Sequence, residues 1–324
     1  MKRLSVQLFA ISSILLLTLG SVQNPFTSKY VSQLKQSSIV VSKNVSALYL
    51  EIEERASEYE KAPQDAVIDK VWKATPGYNG LKVDIDASFR NMEKSGSFDP
   101  KQLIFKETSP SIHLNDLPAE PIYKGHPEKK MVSFIINVAW GNDYLPPMLE
   151  TLKKHKVKAT FFLEGRWVKS NPDLAKMIVD AGHEVGNHSY THPNLKTLTT
   201  PLIREQLTKT NNVIEATTSQ KPLWFAPPSG SYRQDVVDVA LELNMRTVMW
   251  SVDTVDWQKP TPSVLINRVM TKIHPGAIIL MHPTEATVIS LDTLITKIKE
   301  KQYKIGSVTN LLNEKRTDTH PFQN

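Results

Sequence analysis

Two histidines four residues apart are the first candidates for chemistry in this sequence. His188 and His192 bracket the segment His-Ser-Tyr-Thr-His, and both imidazoles could reach one divalent metal ion if the chain turns between them. The spacing alone is weak evidence, because loop histidines that only form hydrogen bonds are the more common case. A catalytic zinc ion also needs a third protein ligand. The pair is therefore a candidate metal site that requires support elsewhere.

A second group of polar residues combines carboxylates with an imidazole. Asp253 and Asp256 lie upstream of His282, and a carboxylate beside an imidazole orients the ring for proton donation near neutral pH. Trp257 offers an apolar wall for a sugar ring or an acyl methyl group. Ordinary alternatives stay open for each residue: a helix cap, a core histidine and a packed tryptophan.

The elements that must position these residues form a repeating strand and helix pattern. The apolar runs that predict buried strands are Val132–Val138, Ala159–Leu163, Glu184–Gly186, Trp224–Phe225, Thr247–Val252, Ala277–Met281 and Lys304–Ser307. The predicted helices are Tyr144–Lys154, Pro172–Asp180, Pro201–Ala216, Asp235–Leu243, Pro262–Lys272 and Val288–Lys301. This alternation predicts an α/β fold with parallel strands covered by helices. With about seven strands and no Gly-rich phosphate loop, it favours a distorted (β/α) barrel over an open doubly wound sheet.

Polar residues collect at the carboxyl ends of these predicted strands. They are Asn137, His188, His192, Pro227, Pro228, Asp253, Asp256 and His282. In a parallel barrel that rim binds ligands and carries catalysis, whereas the opposite rim serves stability. We therefore expect these residues to form one site.

Composition excludes several other kinds of chemistry. The chain has no cysteine, so disulfides, thiolate metal sites and cysteine nucleophiles are absent. A formal net charge of +6 suits contact with an anionic surface, but no basic run interleaved with aromatic residues predicts binding to nucleic acid. We expect no nucleic-acid partner.

The N-terminus predicts export from the cytoplasm. Lys2 and Arg3 precede an apolar stretch from Leu8 to Leu19, which is typical of an export signal. A retained anchor in the membrane is an open alternative to a cleaved signal. We expect a secreted or membrane-anchored protein at the cell envelope.

The chain divides into five predicted segments. They are a signal or anchor at 1–23, a small α+β domain at 24–117, a linker at 118–129, the barrel at 130–312 and a polar tail at 313–324. In the small domain, Leu81–Ile85 alternates like a half-buried strand, and Asp86 is the predicted cap of a helix that runs to Glu93.

Five segments, taken in order, resemble the NodB-like polysaccharide deacetylases of carbohydrate esterase family four. They are Ile135–Gly141, His188–His192, Ala226–Gly230, Asp253–Trp257 and Leu280–His282. The resemblance covers about Val132 to Leu312 and implies the NodB-like barrel. Such proteins are metal-dependent hydrolases that remove acetyl groups from chitin, peptidoglycan or xylan.

The resemblance also implies a role for each matching residue. His188 and His192 would be the metal pair, with a divalent ion, zinc before others, held weakly or not at all. Asp256, helped by Asp253, would orient His282, the acid that protonates the leaving amine. The remaining matches would border the substrate: Trp257, Leu280, Pro227, Pro228 and Tyr232. The implied partner is peptidoglycan or a related N-acetylated polysaccharide of the cell wall.

Three positions depart from the family pattern. Asn137 stands where the family has its catalytic base, and an amide cannot accept a proton at neutral pH. Val138 stands at the position of a metal ligand, although some relatives of this motif type also have an apolar residue there. Ala226 replaces the arginine that pairs with the base. An arginine without its carboxylate would be a buried unpaired charge costing about 3–5 kcal/mol, so the two losses belong together.

Three functional hypotheses remain open. The leading hypothesis is a degenerate deacetylase that binds cell-envelope glycan with weak or no hydrolysis. The second is an active de-N-acetylase that uses another base, such as Asp143 or a metal-bound hydroxide. The third is a non-catalytic envelope scaffold whose N-terminal domain contacts partner proteins.

Overall fold

The computed structural model describes residues 28–30, 32 and 46–318 of the chain. The predicted signal or anchor at 1–23 and the end of the predicted tail, 319–324, lie outside the described residues. Within the described segments, no helix is both long and apolar enough to cross a membrane.

By packing, the chain divides into two compact units. One, the helical unit, comprises residues 46–59 and 83–104, and the other, the barrel unit, comprises residues 60–82 and 105–318. The domain boundaries drawn from the sequence, including the linker at 118–129, stay predictions.

The helical unit contains helices α1 (Ala47–Arg55) and α2 (Ile85–Met92). Leu48, Ile52 and Met92 are buried in it. The prediction that Asp86 caps α2 is wrong. Asp84 is the cap, and its carboxylate accepts the backbone amide of Ala87 at 3.0 Å. Asp86 lies inside the first turn, where a carboxylate acts on the helix dipole instead.

The barrel unit is built on a curled sheet of parallel strands. Four short strands come first in the chain: β1 (Val67–Asp69), β2 (Lys73–Thr75), β3 (Gly80–Val83), whose last residue belongs to the helical unit, and β4 (Phe105–Thr108). The sheet strands are β5 (Met131–Val138), β6 (Thr160–Leu163), β7 (Glu184–Asn187), β8 (Trp224–Phe225), β9 (Arg246–Thr247), β10 (Val252–Asp253), β11 (Ile278–Met281) and β12 (Lys304–Gly306). Their order is β10-β11-β5-β6-β7-β8-β9, with β12 beside the start of β5. The predicted distorted barrel is confirmed.

Helices follow the strands, and most of them cover the outer face of the sheet. They are α3 (Leu145–Lys154), α4 (Gly165–Ser170), α5 (Pro172–Asp180), α6 (Thr200–Thr218), α7 (Gln234–Glu242), α8 (Pro262–Lys272), α9 (Glu285–Glu300) and α10 (Val308–Leu312). Prolines in the first turn of α3, α5, α6 and α8 set the backbone for helix without losing a hydrogen bond. The sequence missed α4, a short helix whose cap is the Glu164 carboxylate on the Trp167 amide.

Several helices end in a left-handed residue that turns the chain back towards the next strand. After α3, α5, α7 and α9 these residues are Lys156, Gly182, Asn244 and Gln302, with φ of 55°, 76°, 59° and 62°. After α3, the amide of Val157 then bonds the carbonyl of Leu152 at 2.9 Å. This pattern is the Schellman motif, in which glycine or asparagine is preferred.

The prediction of one strand at Thr247–Val252 is wrong. This segment contributes to two strands, β9 and β10, at opposite edges of the sheet. Ile122 pairs with the chain beside β9: its amide donates to Thr247 O at 2.9 Å, and Met249 N donates to Ile122 O at 2.8 Å. The continuous apolar run is therefore divided between the two edges of the sheet.

Alternation along β5 separates two cores. Val132, Phe134, Ile136 and Val138 belong to an outer cluster packed against the helices. Met131 and Ile135 belong to an inner cluster inside the curled sheet, together with residues of α10. Because side chains on a strand alternate between faces, Asn137 is placed on the inner side at the carboxyl end of β5.

Candidate functional site

A cavity of about 450 Å³ opens at the carboxyl ends of the sheet strands. It is lined by Asn137, Ala139, Trp140, His188, His192, Ser229, Trp250, Asp253, Trp257, Leu280 and His282. Most residues predicted to carry chemistry therefore meet in one place, although they come from four separate strand ends. Parallel strands produce this convergence, because their carboxyl ends share one rim.

The two histidines after β7 face each other across this cavity. Their ring centroids are 5.1 Å apart with an interplanar angle of 68°. His188 Nδ1 lies 2.7 Å from the carbonyl oxygen of Ala226, which can only accept, so this nitrogen carries the proton and Nε2 keeps its lone pair. Burial lowers the pKa of His188 to about 3, and His192 adds to the shift. Burial also lowers the pKa of His192, so both rings are neutral at pH 7.

The backbone between these histidines is held in a sparsely populated conformation. Ser189 and His192 have φ of 64° and 55°. The Asn187 side chain accepts the Ser189 amide at 2.8 Å, and the Ser189 hydroxyl accepts the His192 amide at 3.2 Å. Non-glycine residues in this region cost of order 1–3 kcal/mol each and persist where surrounding contacts impose them. The turn thus fixes the direction of both rings.

A buried carboxylate orients the third histidine. His282 Nδ1 lies 2.8 Å from Asp256 Oδ1, while Asp256 Oδ2 accepts the His282 backbone amide and the Thr287 hydroxyl, both at 2.6 Å. Asp256 is fully buried. Asp253 instead lines the cavity and accepts the Val255 amide at 2.8 Å. The arrangement leaves His282 Nε2 as the ring atom available for proton transfer.

Asn137 lies at the carboxyl end of β5, and its side-chain oxygen is buried without a hydrogen-bond partner in the described part of the chain. The residue is 5% exposed, and its Oδ1 is buried without a hydrogen-bond partner among the described residues. An unpartnered buried acceptor costs about 1–3 kcal/mol. Ala226, where the resemblance would place an arginine, is fully buried in the inner cluster. Nothing in that cluster offers Asn137 a charged partner.

The side chains present do not fit a three-ligand metal centre. Among residues 46–318, no group of three or more His, Asp or Glu residues could hold a metal ion. Val138 has no donor atom and packs in the outer cluster, away from the cavity. Two imidazoles fall short of the three protein ligands of a catalytic zinc site. We therefore assign no catalytic step in this chain to a metal.

Two tryptophans at the site escaped the sequence-based prediction. The Trp140 ring stacks on that of His282, with centroids 6.0 Å apart and an angle of 7°, and Trp250 also lines the cavity. The Trp-Gly pair after β5 was a signal for the first. Gly141 has φ of 84°, and a Cβ there would collide with the carbonyl of Pro283. Trp250 was hidden inside the apparent strand Thr247–Val252.

Three residues predicted to border the substrate are not among those that line this cavity, and their role stays a prediction. Among the described residues, the cavity lining does not include Pro227, Pro228 or Tyr232. The Tyr232 hydroxyl instead bonds that of Tyr123 at 2.8 Å, and the prolines position Ser229, which does line the cavity. Asp143, suggested as a substitute base, is exposed and outside the lining.

Comparison with known proteins agrees with this geometry. The family model for polysaccharide deacetylase matches residues 124–248. The chain is 56% identical over 295 residues to the uncharacterised protein YlxY of Bacillus subtilis, covering 91% of this chain and 92% of that protein. It is 35% identical over 201 residues to the peptidoglycan-N-acetylmuramic acid deacetylase PdaA of the same species, covering 60% of this chain and 76% of PdaA.

A solved structure is similar over most of the chain. The crystal structure of BA3943, a CE4 family pseudoenzyme from Bacillus anthracis, has a TM-score of 0.80 and 65% identity, covering 84% of this chain and 96% of that one. A mutant of BA3943 with restored enzymatic activity matches with a TM-score of 0.80 and 64% identity, covering 83% of this chain and 99% of that one.

Proposed function

Because the chain belongs to the polysaccharide deacetylase family, we propose that it binds an N-acetylated, peptidoglycan-like glycan of the cell envelope and deacetylates it weakly or not at all. One observation carries this proposal: the inner end of β5 presents Asn137 to the cavity where the family has its base. An amide has no lone pair on nitrogen available at neutral pH and cannot deprotonate water.

The remaining side chains could carry out the proton-donating step of amide hydrolysis but not the activation of water. Asp256 holds the His282 ring so that Nε2 could deliver a proton to a leaving amine, as in general acid catalysis. At the family's base position the cavity has only the Asn137 amide, which cannot accept the proton. Loss of a general base typically lowers the rate by about 10² to 10⁴-fold.

The pairing of Asn137 with Ala226 supports loss of the reaction over chance substitution. A buried arginine beside an amide would be an unpaired charge, which costs about 3–5 kcal/mol. Once the carboxylate at Asn137 was absent, an alanine at Ala226 removed that cost. The pseudoenzyme BA3943, and the recovery of activity in its mutant, support the same interpretation by similarity.

Location and partners follow from the same proposal. PdaA is named as a deacetylase of peptidoglycan. We propose that this chain, too, is extracytoplasmic, either secreted or anchored through its N-terminus. A net charge of +6 suits an anionic wall. The exposed rings of Trp140 and Trp257 beside the cavity suit the apolar faces of sugar rings.

Release of acetate from N-acetylglucosamine oligomers and from peptidoglycan, with and without zinc, tests the proposal. We expect little or no release by the wild type, and measurable release by Asn137→Asp/Ala226→Arg. Asn267→Asp, an exposed position on α8, makes the same chemical change away from the cavity and should stay inactive. Strong turnover by the wild type would refute the proposal.

A second candidate is an active de-N-acetylase that uses another base. Asp253 favours it, because it is the carboxylate that lines the cavity among the described residues. Its Oδ1 accepts the Val255 amide, which leaves Oδ2 for a proton. If the wild type releases acetate, Asp253→Asn should abolish the release, whereas Asp143→Asn should not.

A further inference from the structure

A second pocket, of about 500 Å³, lies at the amino ends of the sheet strands, on the opposite rim from the cavity. Four lysines line it: Lys156, Lys158, Lys299 and Lys304. They come from the turn between α3 and β6, the end of α9 and the start of β12. Among the described residues, no carboxylate lines this lysine pocket. The fold thus places four cations around one concavity.

The ammonium groups of these lysines keep most of their bonding capacity. Lys158 Nζ donates to Ala181 O at 2.5 Å, Lys299 Nζ to His155 O at 2.7 Å and Lys304 Nζ to Thr317 O at 2.7 Å. None of the four forms an ion pair with a described residue. An ammonium has three N–H donors, so one neutral carbonyl leaves two donors and the full charge available.

Lys156 presents the least engaged charge of the four. This residue has φ of 55° at the left-handed position of the Schellman motif that ends α3. Its side chain is exposed, and no described residue bonds its ammonium group. Its charge and donors are therefore available to a ligand in the pocket.

The shape of the pocket favours a flexible chain over a flat surface. Its floor is apolar and recessed, with Met131 and Gly306 buried and Ile305 half-buried. A Cβ at Gly306 would collide with the Met131 side chain, so the floor is close-packed. A bilayer would need protruding apolar side chains, and the lining contributes none to the exposed large hydrophobic residues of the described chain.

We propose that the lysine pocket binds adjacent phosphates of a soluble phosphodiester polymer. Lysine side chains act as mobile point charges and suit successive anionic groups along a chain, while the apolar floor contacts the C–H groups between them. The site is separate from the cavity and independent of deacetylation. A protein held by an anionic polymer at one rim would present the other rim to glycan.

Calorimetric titration of the full chain with poly(glycerol phosphate) tests the site. We expect binding that weakens steeply with salt, and about tenfold or greater loss of affinity in Lys156→Gln/Lys304→Gln. Lys158 and Lys299 are left intact because they bond the carbonyls that end α5 and α3, whereas the partner of Lys304, Thr317 O, lies in the tail. Lys196→Gln/Lys221→Gln removes the same charge from exposed positions outside the pocket and should change affinity by less than about twofold.

Each other result would overturn the proposal. Equal losses in the two double variants would mean attraction to net charge alone. Polymer binding unaffected by Lys156→Gln/Lys304→Gln would place the site elsewhere. Binding to vesicles of anionic phospholipid, with the same dependence on lysine and no binding to the polymer, would identify a membrane surface instead. Circular dichroism and thermal unfolding of both double variants would exclude unfolding as the cause.

Discussion

The two rims of the barrel hold polar groups in opposite ways. At the carboxyl rim His188 and Asp256 are buried, and hydrogen bonds fix the direction of the His188 and His282 rings. At the amino rim the four lysines are exposed, and three of them donate to a single backbone carbonyl each. A buried charge is destabilising without its partner, so the loss of a carboxylate at a buried site favours the loss of the arginine that paired with it. Exposed lysines are solvated, so the loss of one of them costs little.

The largest expected effect is a loss of stability caused by a substitution at the carboxyl rim. Ala226→Arg alone should lower the free energy of unfolding by about 3–5 kcal/mol, because the guanidinium is buried without a carboxylate. Asn137→Asp should recover part of that loss when combined with it. Urea denaturation of the double-mutant cycle measures the coupling. Ala226→Leu separates the cost of size from that of charge, and additive effects of the two substitutions would contradict the prediction.

The next effect concerns a buried histidine on the amino side. Burial lowers the pKa of His183, just before β7, to about 4, so the unfolded chain takes up its proton first. Stability should therefore fall as pH drops from about 6.5 towards 4, with about 2 kcal/mol lost between pH 7 and 5 from this residue. His183→Gln should remove that part of the slope in urea denaturation at the two pH values.

His113 provides a control of opposite sign. Its hydrogen bond to Glu314 raises the pKa of the exposed ring, so its contribution is present at low pH and is lost as pH rises. His113→Gln should cost more stability at pH 5 than at pH 7. If both variants changed the slope in the same direction, the assignment of His183 would be wrong.

The smallest expected effect is a gain in stability caused by a substitution at the amino rim. Lys156→Gly should raise the free energy of unfolding by up to about 1 kcal/mol, because it relieves a left-handed lysine. Asn244→Gly is the control, at the equivalent position after α7 with φ of 59° and outside the lysine pocket. Both should raise the temperature of thermal unfolding, but only Lys156→Gly should weaken polymer binding. Loss of stability in both would mean that the turns are not strained.

Much of the barrel could be predicted from the spacing of apolar residues and from the proline, glycine and charged residues at the ends of helices. Helix α8 was predicted at Pro262–Lys272 and α5 at Pro172–Asp180, because proline marks the first turn and charge or glycine marks the end. The division of Thr247–Val252 between β9 and β10 could not be predicted, since it depends on pairing with distant segments such as Ile122 and β11, which has no local signal. Short α4 was missed because six residues are too few for a helical period.

The candidate site could be predicted where its residues match the family motifs. Residues that reach the site, or leave it, through tertiary packing could not be predicted. The histidines, Asn137, Asp253, Trp257, Leu280 and their rim were expected together, and they line one cavity. Trp250 reaches it only because the chain leaves the sheet after β9. Tyr232 turns to Tyr123 instead, a contact between distant segments that spacing cannot reveal.

The pairing of Ile122 beside β9 has a consequence for biogenesis. Its backbone partners, Thr247 and Met249, lie far downstream, so Ile122 leaves the ribosome long before they exist. Contacts so distant in sequence carry a high loop-closure entropy and form late. We therefore expect Ile122 to stay unpaired in the nascent chain until the residues that follow β9 have been synthesised.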